Sequence, residues 1–227
     1  MQHSEIETIK DEVKQEFQVE RMILFSDAVF AIVITLMAIE IKLPHFEVDK
    51  LTEELFLFSL LHLLPIIFAY AVSFFFVGMI WYKHLKLFGV VKTYDKGLVI
   101  HNLLLLFFIG LFPFGASIIS GGQIGFIYRT SIYLVIIMCC IYSFFFLTRY
   151  ILISKPSLRE EDADITSLMK QYKKTIPSVI LFPILLLLVI ATYLFIENKD
   201  LKPLSMMWIM IIPISRLIQK NKVVKEK

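Results

Sequence analysis

The 227-residue chain has little of what builds most metal and disulfide sites. It contains only two cysteines, Cys139 and Cys140, which are adjacent in an apolar run. We therefore expect two small buried hydrophobes and neither a disulfide framework nor a zinc site. The net charge is only +3 and the basic residues do not form a single patch, which argues against nucleic acid as a partner.

The apolar segments are also poor in polar side chains. Outside the neighbourhood of Asp27, no acids, bases or metal ligands converge at one depth, as a membrane enzyme requires, so we predict that the chain is not an enzyme, has no cofactor and takes no soluble substrate. No segment carries the repeated arginines of a voltage sensor, and the Thr-Val-Gly-Tyr-Gly loop of ordinary potassium channels is absent.

The sequence is rich in long apolar segments. Hydrophobic residues make up 58% of the chain and 21 residues are Phe, whereas soluble domains are about 45–50% apolar. A spanning helix needs about 20 apolar residues. Six candidate spans follow, at 22–43, 55–82, 98–119, 125–150, 176–197 and 203–220. The sequence therefore predicts an all-α, polytopic membrane protein with six transmembrane helices per subunit.

Polar segments complete the predicted organisation. Residues 1–20 form a polar, partly helical N-terminus without a cleavable signal peptide, residues 21–220 form the membrane domain, and residues 221–227 form a basic tail. A hydrophilic insert at 154–175 separates spans four and five. Ser157 and Glu160 have capping-box spacing within it, which predicts a short amphipathic helix at the membrane surface.

The placement of Lys and Arg predicts the orientation in the membrane. With six spans, most of the 23 basic residues fall on the side that holds both termini. The opposite side receives only Lys42, Lys50, Arg129, Lys199 and Lys202. Because cytoplasmic loops are enriched in Lys and Arg, both termini are predicted to be cytoplasmic.

The first span, RMILFSDAVFAIVITLMAIEI, holds a Ser-Asp pair inside an apolar run. At about 100° per residue, an apolar stripe with a/d spacing lies on one side of the helix, and Ser26 and Asp27 project far from it. The stripe consists of Phe25, Val29, Ile32, Leu36, Ile39 and Leu43. Periodicity alone leaves two interpretations open, packing against copies of the same helix or ordinary contact with lipid. Thr35 flanks the stripe, and its hydroxyl is expected to bond back to the carbonyl of Ala31.

Asp27 needs a partner from another helix. Arg21 lies about 120° away from it around the same helix, so the two are not an in-helix pair. Depth in the membrane selects Trp81, His84 and Asn102 as possible donors at the same inner end. Two interpretations of this cluster stay open, a network that locks the helices together and a catalytic or ion-ligating role.

One stretch of the sequence resembles a known family. The pattern R-x-x-x-F-S-D is formed by Arg21, Phe25, Ser26 and Asp27. It resembles the first helix of a family of potassium channels first known from lysosomes and endosomes, which has single-repeat bacterial homologues. The stretches WYKH, with a following Phe88, and HNLLLLFFIGLFPF resemble that family's second and third spans. The resemblance covers the first half of the chain, and one departure is Ala28, where the family commonly has Gly.

The resemblance implies a homotetramer in the bacterial cytoplasmic membrane, with the first helix of each subunit lining a central pore. It implies a pore constriction at Ile32, Leu36 and Ile39 with a Thr35 layer beside it, in place of a P-loop filter. The implied motif network consists of Arg21, Phe25, Ser26, Asp27, Trp81, His84 and Asn102. The permeant ion would be potassium, with a modest preference over sodium, because aliphatic rings cannot replace a hydration shell as carbonyls do.

Two other functions stay as alternatives. A proton or other ion transporter would use Asp27 and His84 as a relay, although the sparse polar lining argues against it. A non-conducting membrane scaffold would need neither a relay nor a pore.

Overall fold

The fold is described here from a computed structural model of the chain, which describes residues 2–39, 41, 53–120, 125–160 and 164–196. The described residues form six α-helices, which are α1 (Gln2–Ile39), α2 (Glu53–Phe88), α3 (Lys96–Gly110), α4 (Phe112–Ser120), α5 (Phe126–Arg149) and α6 (Thr166–Phe195). A π-helical turn, Tyr150–Ser154, extends α5, and a 3-10 turn, Pro156–Leu158, follows it.

Five segments in the described residues are long and apolar enough to cross a membrane. They are Val13–Ile39, Ile66–Phe88, Lys96–Ile119, Tyr128–Ser154 and Thr166–Phe195. Only helices and closed barrels satisfy every backbone group inside lipid, so a chain this apolar folds into helices. The predicted all-α, polytopic fold is confirmed for these five segments, and the predicted span 203–220 lies outside the described residues.

The third predicted span is interrupted at Leu111, whose backbone N–H bonds to the carbonyl of Phe108 at 3.3 Å. The cause is Pro113, which lacks an N–H and whose ring would clash with the carbonyl four residues earlier. A new helix, α4, starts at Phe112, so Pro113 falls in a first turn, where its N–H is not needed.

The insert differs from the sequence prediction, and the helix at the N-terminus is longer than a partly helical segment. The predicted surface helix and the fifth span are one helix, α6, which begins at Thr166 and continues through Pro177 and Pro183. The polar N-terminal residues likewise belong to α1, which runs unbroken from Gln2. Ser157 lies in the 3-10 turn instead of capping a helix.

The start of the insert docks on the loop between α2 and α3. The backbone N–H of Lys92 donates to the carbonyl of Leu158 at 2.9 Å, and that of Glu160 donates to the carbonyl of Val90 at 3.1 Å. Leu158 is buried at this junction. The insert therefore begins as a loop tied to the helix bundle by nonlocal backbone bonds. This end of the bundle is called the basic end below, because it carries Lys83, Lys86, Lys92, Arg149 and Lys155.

Asp95 fastens α3 to α5 at the basic end. Its carboxylate accepts the backbone N–H of Leu98 at 2.7 Å, which caps α3, and the hydroxyl of Tyr150 at 2.7 Å. Burial opposes ionisation of Asp95, but these hydrogen bonds and the charge of Lys155 outweigh it and lower its pKa. A side chain on Gly97 would overlap the Tyr150 hydroxyl, so the close approach of α3 and α5 requires glycine here.

One face of α1 packs into the centre of the bundle. Its buried residues are Val19, Ser26, Phe30, Val33 and Met37, and α1 contacts both α2 and α3. In lipid the solvent is as apolar as the side chains, so close van der Waals contact and interhelical hydrogen bonds hold these helices together. The single polar member of the buried face, Ser26, therefore marks where such a bond is made.

Candidate functional site

A chain of hydrogen bonds links three helices at the depth of Ser26. The Asn102 amide nitrogen on α3 donates to the Ser26 hydroxyl on α1 at 2.9 Å, and the Ser26 hydroxyl donates to the Met22 carbonyl at 2.8 Å. Asn102 Oδ1 lies 2.9 Å from His84 Nε2 on α2. Because an amide oxygen only accepts, this contact requires the proton on His84 Nε2.

The three hydrogen-bonded side chains of this network are buried inside the subunit. Ser26 and His84 are 0% exposed and Asn102 is 1% exposed. The His84 ring stacks on Phe88 with centroids 4.2 Å apart and lies 5.6 Å from the Phe30 ring. His84 Nδ1 is buried and has no hydrogen-bond partner among the described residues. The environment fits a neutral imidazole that orders α1, α2 and α3.

Asp27 makes a separate bond on the neighbouring side of α1. Its Oδ1 accepts the indole N–H of Trp81 at 2.8 Å. Successive helix residues point about 100° apart, so Ser26 and Asp27 reach different partners although they are adjacent. Of the three donors that depth selects for Asp27, the structure pairs Trp81 with it and joins His84 and Asn102 to Ser26.

The structure does not bring Arg21 and Phe25 to these bonds. Arg21 donates to Gln18 on its own helix at 3.4 Å. Phe25 is 54% exposed and lies on the stripe side of α1. The sequence analysis did not identify Phe30, whose ring packs against His84. Phe30 could have been identified from its position four residues after Ser26, which puts both residues on one helix face.

The apolar stripe of α1 is exposed in the subunit. Ile32, Leu36 and Ile39 are 55%, 44% and 65% exposed, and Val29 is half-buried. Leu43 lies outside the described residues. Several other helices of this membrane protein also expose large apolar side chains, so exposure alone does not distinguish a lipid-facing surface from a protein-facing one.

Thr35 is exposed beside the stripe. Its hydroxyl donates within α1, at 3.1 Å from the Ala31 carbonyl and 2.9 Å from that of Ile32. The hydroxyl proton is therefore used by the helix, and the oxygen retains acceptor capacity on the exposed side. No group of three or more His, Cys, Asp or Glu residues that suits a metal ion occurs among the described residues.

Comparison with known proteins agrees with this architecture. Residues 21–113 match the sequence model of the family described as the endosomal/lysosomal potassium channel TMEM175. A potassium channel of Chryseobacterium sp. (strain P1-3) is 40% identical over 93 residues, which are 41% of this chain and 44% of that protein. A potassium channel of Chamaesiphon minutus is 34% identical over 110 residues, which are 48% of this chain and 53% of that protein.

The chain thus spans about half the length of the curated relatives it matches. The structural similarity extends further. The crystal structure of a lysosomal potassium-selective channel TMEM175 homologue from Chamaesiphon minutus matches with a TM-score of 0.62 and 25% identity, covering 91% of this chain and 100% of that one. These relatives are named as channels, which supports the prediction that the chain is not an enzyme. Residues 21–113 are thus similar to the TMEM175 channel family, and the chain shares the fold of a solved bacterial homologue of that family.

Proposed function

We propose that the chain is one subunit of a homotetrameric potassium channel whose pore is lined by α1. The observation that carries the proposal is the division of α1 into two sides. One side is fixed to α2 and α3 by Ser26 and Asp27. The other side presents the exposed stripe Ile32, Leu36 and Ile39. The potassium channel names of the relatives support this assignment.

The constriction is assigned to the stripe. Ile32, Leu36 and Ile39 are spaced by four and three residues, so four copies of α1 around an axis would form three rings about 6 Å and 4.5 Å apart. Such rings gate by excluding water and pass partly hydrated ions when they widen. Thr35 would add a layer of hydroxyl oxygens between them. Because helix carbonyls are occupied, we propose only a modest preference for potassium over sodium.

The proposed location is a bacterial cytoplasmic membrane with both termini in the cytoplasm. Support comes from the distribution of Lys and Arg, which favours the side that contains the basic end. The network of Ser26, Asn102 and His84 would then lie toward the cytoplasmic end of the pore helix.

The relay alternative receives no support from the bonding pattern. His84 pairs with Asn102 and Asp27 accepts from Trp81, so the two titratable groups are engaged with different partners. His84 is also fully buried in this subunit, between the rings of Phe30 and Phe88.

A flux assay tests the proposed function. Purified protein in liposomes should pass potassium, with sodium and protons as comparison ions. Leu36→Ala should raise the potassium flux, because it removes branched carbons from a ring that excludes water. Leu24→Ala is the matched control, since Leu24 is an exposed leucine of α1 outside the stripe. Equal fluxes from both variants and the unchanged protein would contradict the proposed pore. A potassium-to-sodium preference of several hundred would contradict the proposed modest selectivity.

A further inference from the structure

A cavity of about 380 Å³ lies between α2, α5 and α6 at the basic end. It is separate from the network described above, since Lys83 and Leu87 face it from α2 whereas His84 faces α1 and α3. None of the lining residues in the described part of the chain is acidic. Its volume is that of a small-molecule site and its lining divides into a cationic part and an apolar part.

The cationic part contains Lys83 from α2 and Lys174 from α6, with the side-chain amide of Gln171 on the same helix as Lys174. Two ammonium groups and a neutral amide donor suit a phosphate group. Lys174 comes early in α6, and Lys83 comes near the end of α2. Both therefore lie in the parts of their helices that are nearer the basic end.

Apolar side chains line the rest of the cavity. Phe144 and Phe145 contribute from α5, and the Phe145 ring stacks on Tyr172, two residues before Lys174, with centroids 5.0 Å apart. Leu181 follows Lys174 by seven residues, which is about 10 Å further along α6 and away from the basic end. The cavity therefore offers two cationic groups with apolar side chains beside and beyond them, which suits the phosphate and the acyl chain of a phospholipid.

We propose that this cavity binds an anionic phospholipid, with its phosphate on Lys83 and Lys174 and the upper part of an acyl chain toward Leu181. Basic pockets between membrane helices are the usual sites for such headgroups. Free phosphate would leave the apolar part empty. The proposal does not depend on potassium conduction, because binding is measured without flux.

Native mass spectrometry of the purified full chain in detergent tests the proposal, with phosphatidylglycerol and phosphatidylcholine as the probes. The variant K83Q/K174Q removes both cations of the cavity. The matched control K86Q/K173Q removes two exposed lysines from the same two helices, and neither lines the cavity. Both variants have the same net charge, so a nonspecific attraction of anionic lipid would weaken equally in each.

We expect the unchanged protein and the control to retain phosphatidylglycerol in preference to phosphatidylcholine. K83Q/K174Q should bind phosphatidylglycerol roughly 30-fold more weakly, at about fivefold per lysine. Equal binding by the two variants would overturn the proposal. Displacement of the lipid by millimolar inorganic phosphate would instead assign the site to a free anion. Cross-links from a photoreactive group at Thr175 to a second subunit, in place of lipid, would assign the cavity to a subunit contact.

Discussion

Replacing Asn102 with Leu tests whether the buried polar chain stabilises the subunit. Asn102 uses both ends of its amide, accepting from His84 and donating to Ser26. Leu is close to Asn in size, so the change removes both bonds without leaving a large cavity. His84 then keeps a buried Nε2–H without an acceptor, beside an Nδ1 that already has no partner among the described residues.

The expected loss follows from these contacts. Hydrogen bonds between membrane helices contribute about 0.6 kcal/mol each, so the two bonds of Asn102 contribute about 1 kcal/mol. Leaving the His84 donor unsatisfied costs roughly 1–3 kcal/mol more. We therefore expect Asn102→Leu to lower the free energy of unfolding by about 2–4 kcal/mol.

The assay is equilibrium unfolding of the purified protein in micelles with increasing dodecyl sulfate. A second substitution makes it decisive. His84→Phe removes the unsatisfied donor and places a ring beside Phe30 and Phe88, so H84F/N102L should be more stable than N102L. Leu103→Ala, at the exposed neighbouring position, is the control and should change little. Losses of the two single variants that simply add in H84F/N102L would refute the coupling, as would an N102L variant as stable as the original protein.

Three further predictions concern Gly97, Asp95 and Asp27. Gly97→Ala should destabilise the protein by about 1–3 kcal/mol because its methyl group must displace Tyr150, whereas Gly110→Ala, with open space around it, should be neutral or slightly stabilising in the same unfolding assay. The lowered pKa of Asp95 means that its stabilising effect is full above about pH 4 and is lost as the pH falls through the folded value, so Asp95→Asn should flatten the fall in melting temperature below about pH 4. Asp27→Asn keeps an acceptor oxygen for the indole N–H, so subunit assembly and potassium flux should persist in gel filtration and liposome assays, and a loss of transport with assembly intact would favour the relay.

The helices were predictable because lipid demands a simple pattern. A run of about 20 apolar residues is enough to indicate a span, since every backbone group must be satisfied within its own helix. The partners of the Ser-Asp pair were predictable only as a set. Counting residues gives the depth of Trp81, His84 and Asn102 in the membrane. It does not give the rotation of α2 and α3 about their axes, and this rotation determines which side chain bonds to Ser26 and which to Asp27.

Other features required information that no local pattern carries. The docking of the insert depends on backbone bonds from Lys92 and Glu160 to residues more than sixty positions away in the chain. The predicted surface helix and span five form one helix because no helix-terminating residue interrupts the sequence between Thr166 and Pro177. The polar composition of this segment instead suggested a separate element. The contact of Phe30 with His84 was not predicted, because the chain contains 21 Phe residues and only the helix face that Phe30 shares with Ser26 distinguishes it from the others.

The two anchors of α1 fix the direction in which its stripe points. The Ser26–Asn102 and Asp27–Trp81 bonds leave the helix about 100° apart and end on different helices, α3 and α2. One bond alone would fix α1 at a single point on its circumference, whereas two bonds to different helices restrict its rotation about its own axis. Ile32, Leu36 and Ile39 lie on the other side of the same rigid helix, so the anchors hold them in register. Substitutions at the anchors should therefore change the stability of the subunit, and substitutions in the stripe should change conduction while leaving the fold intact.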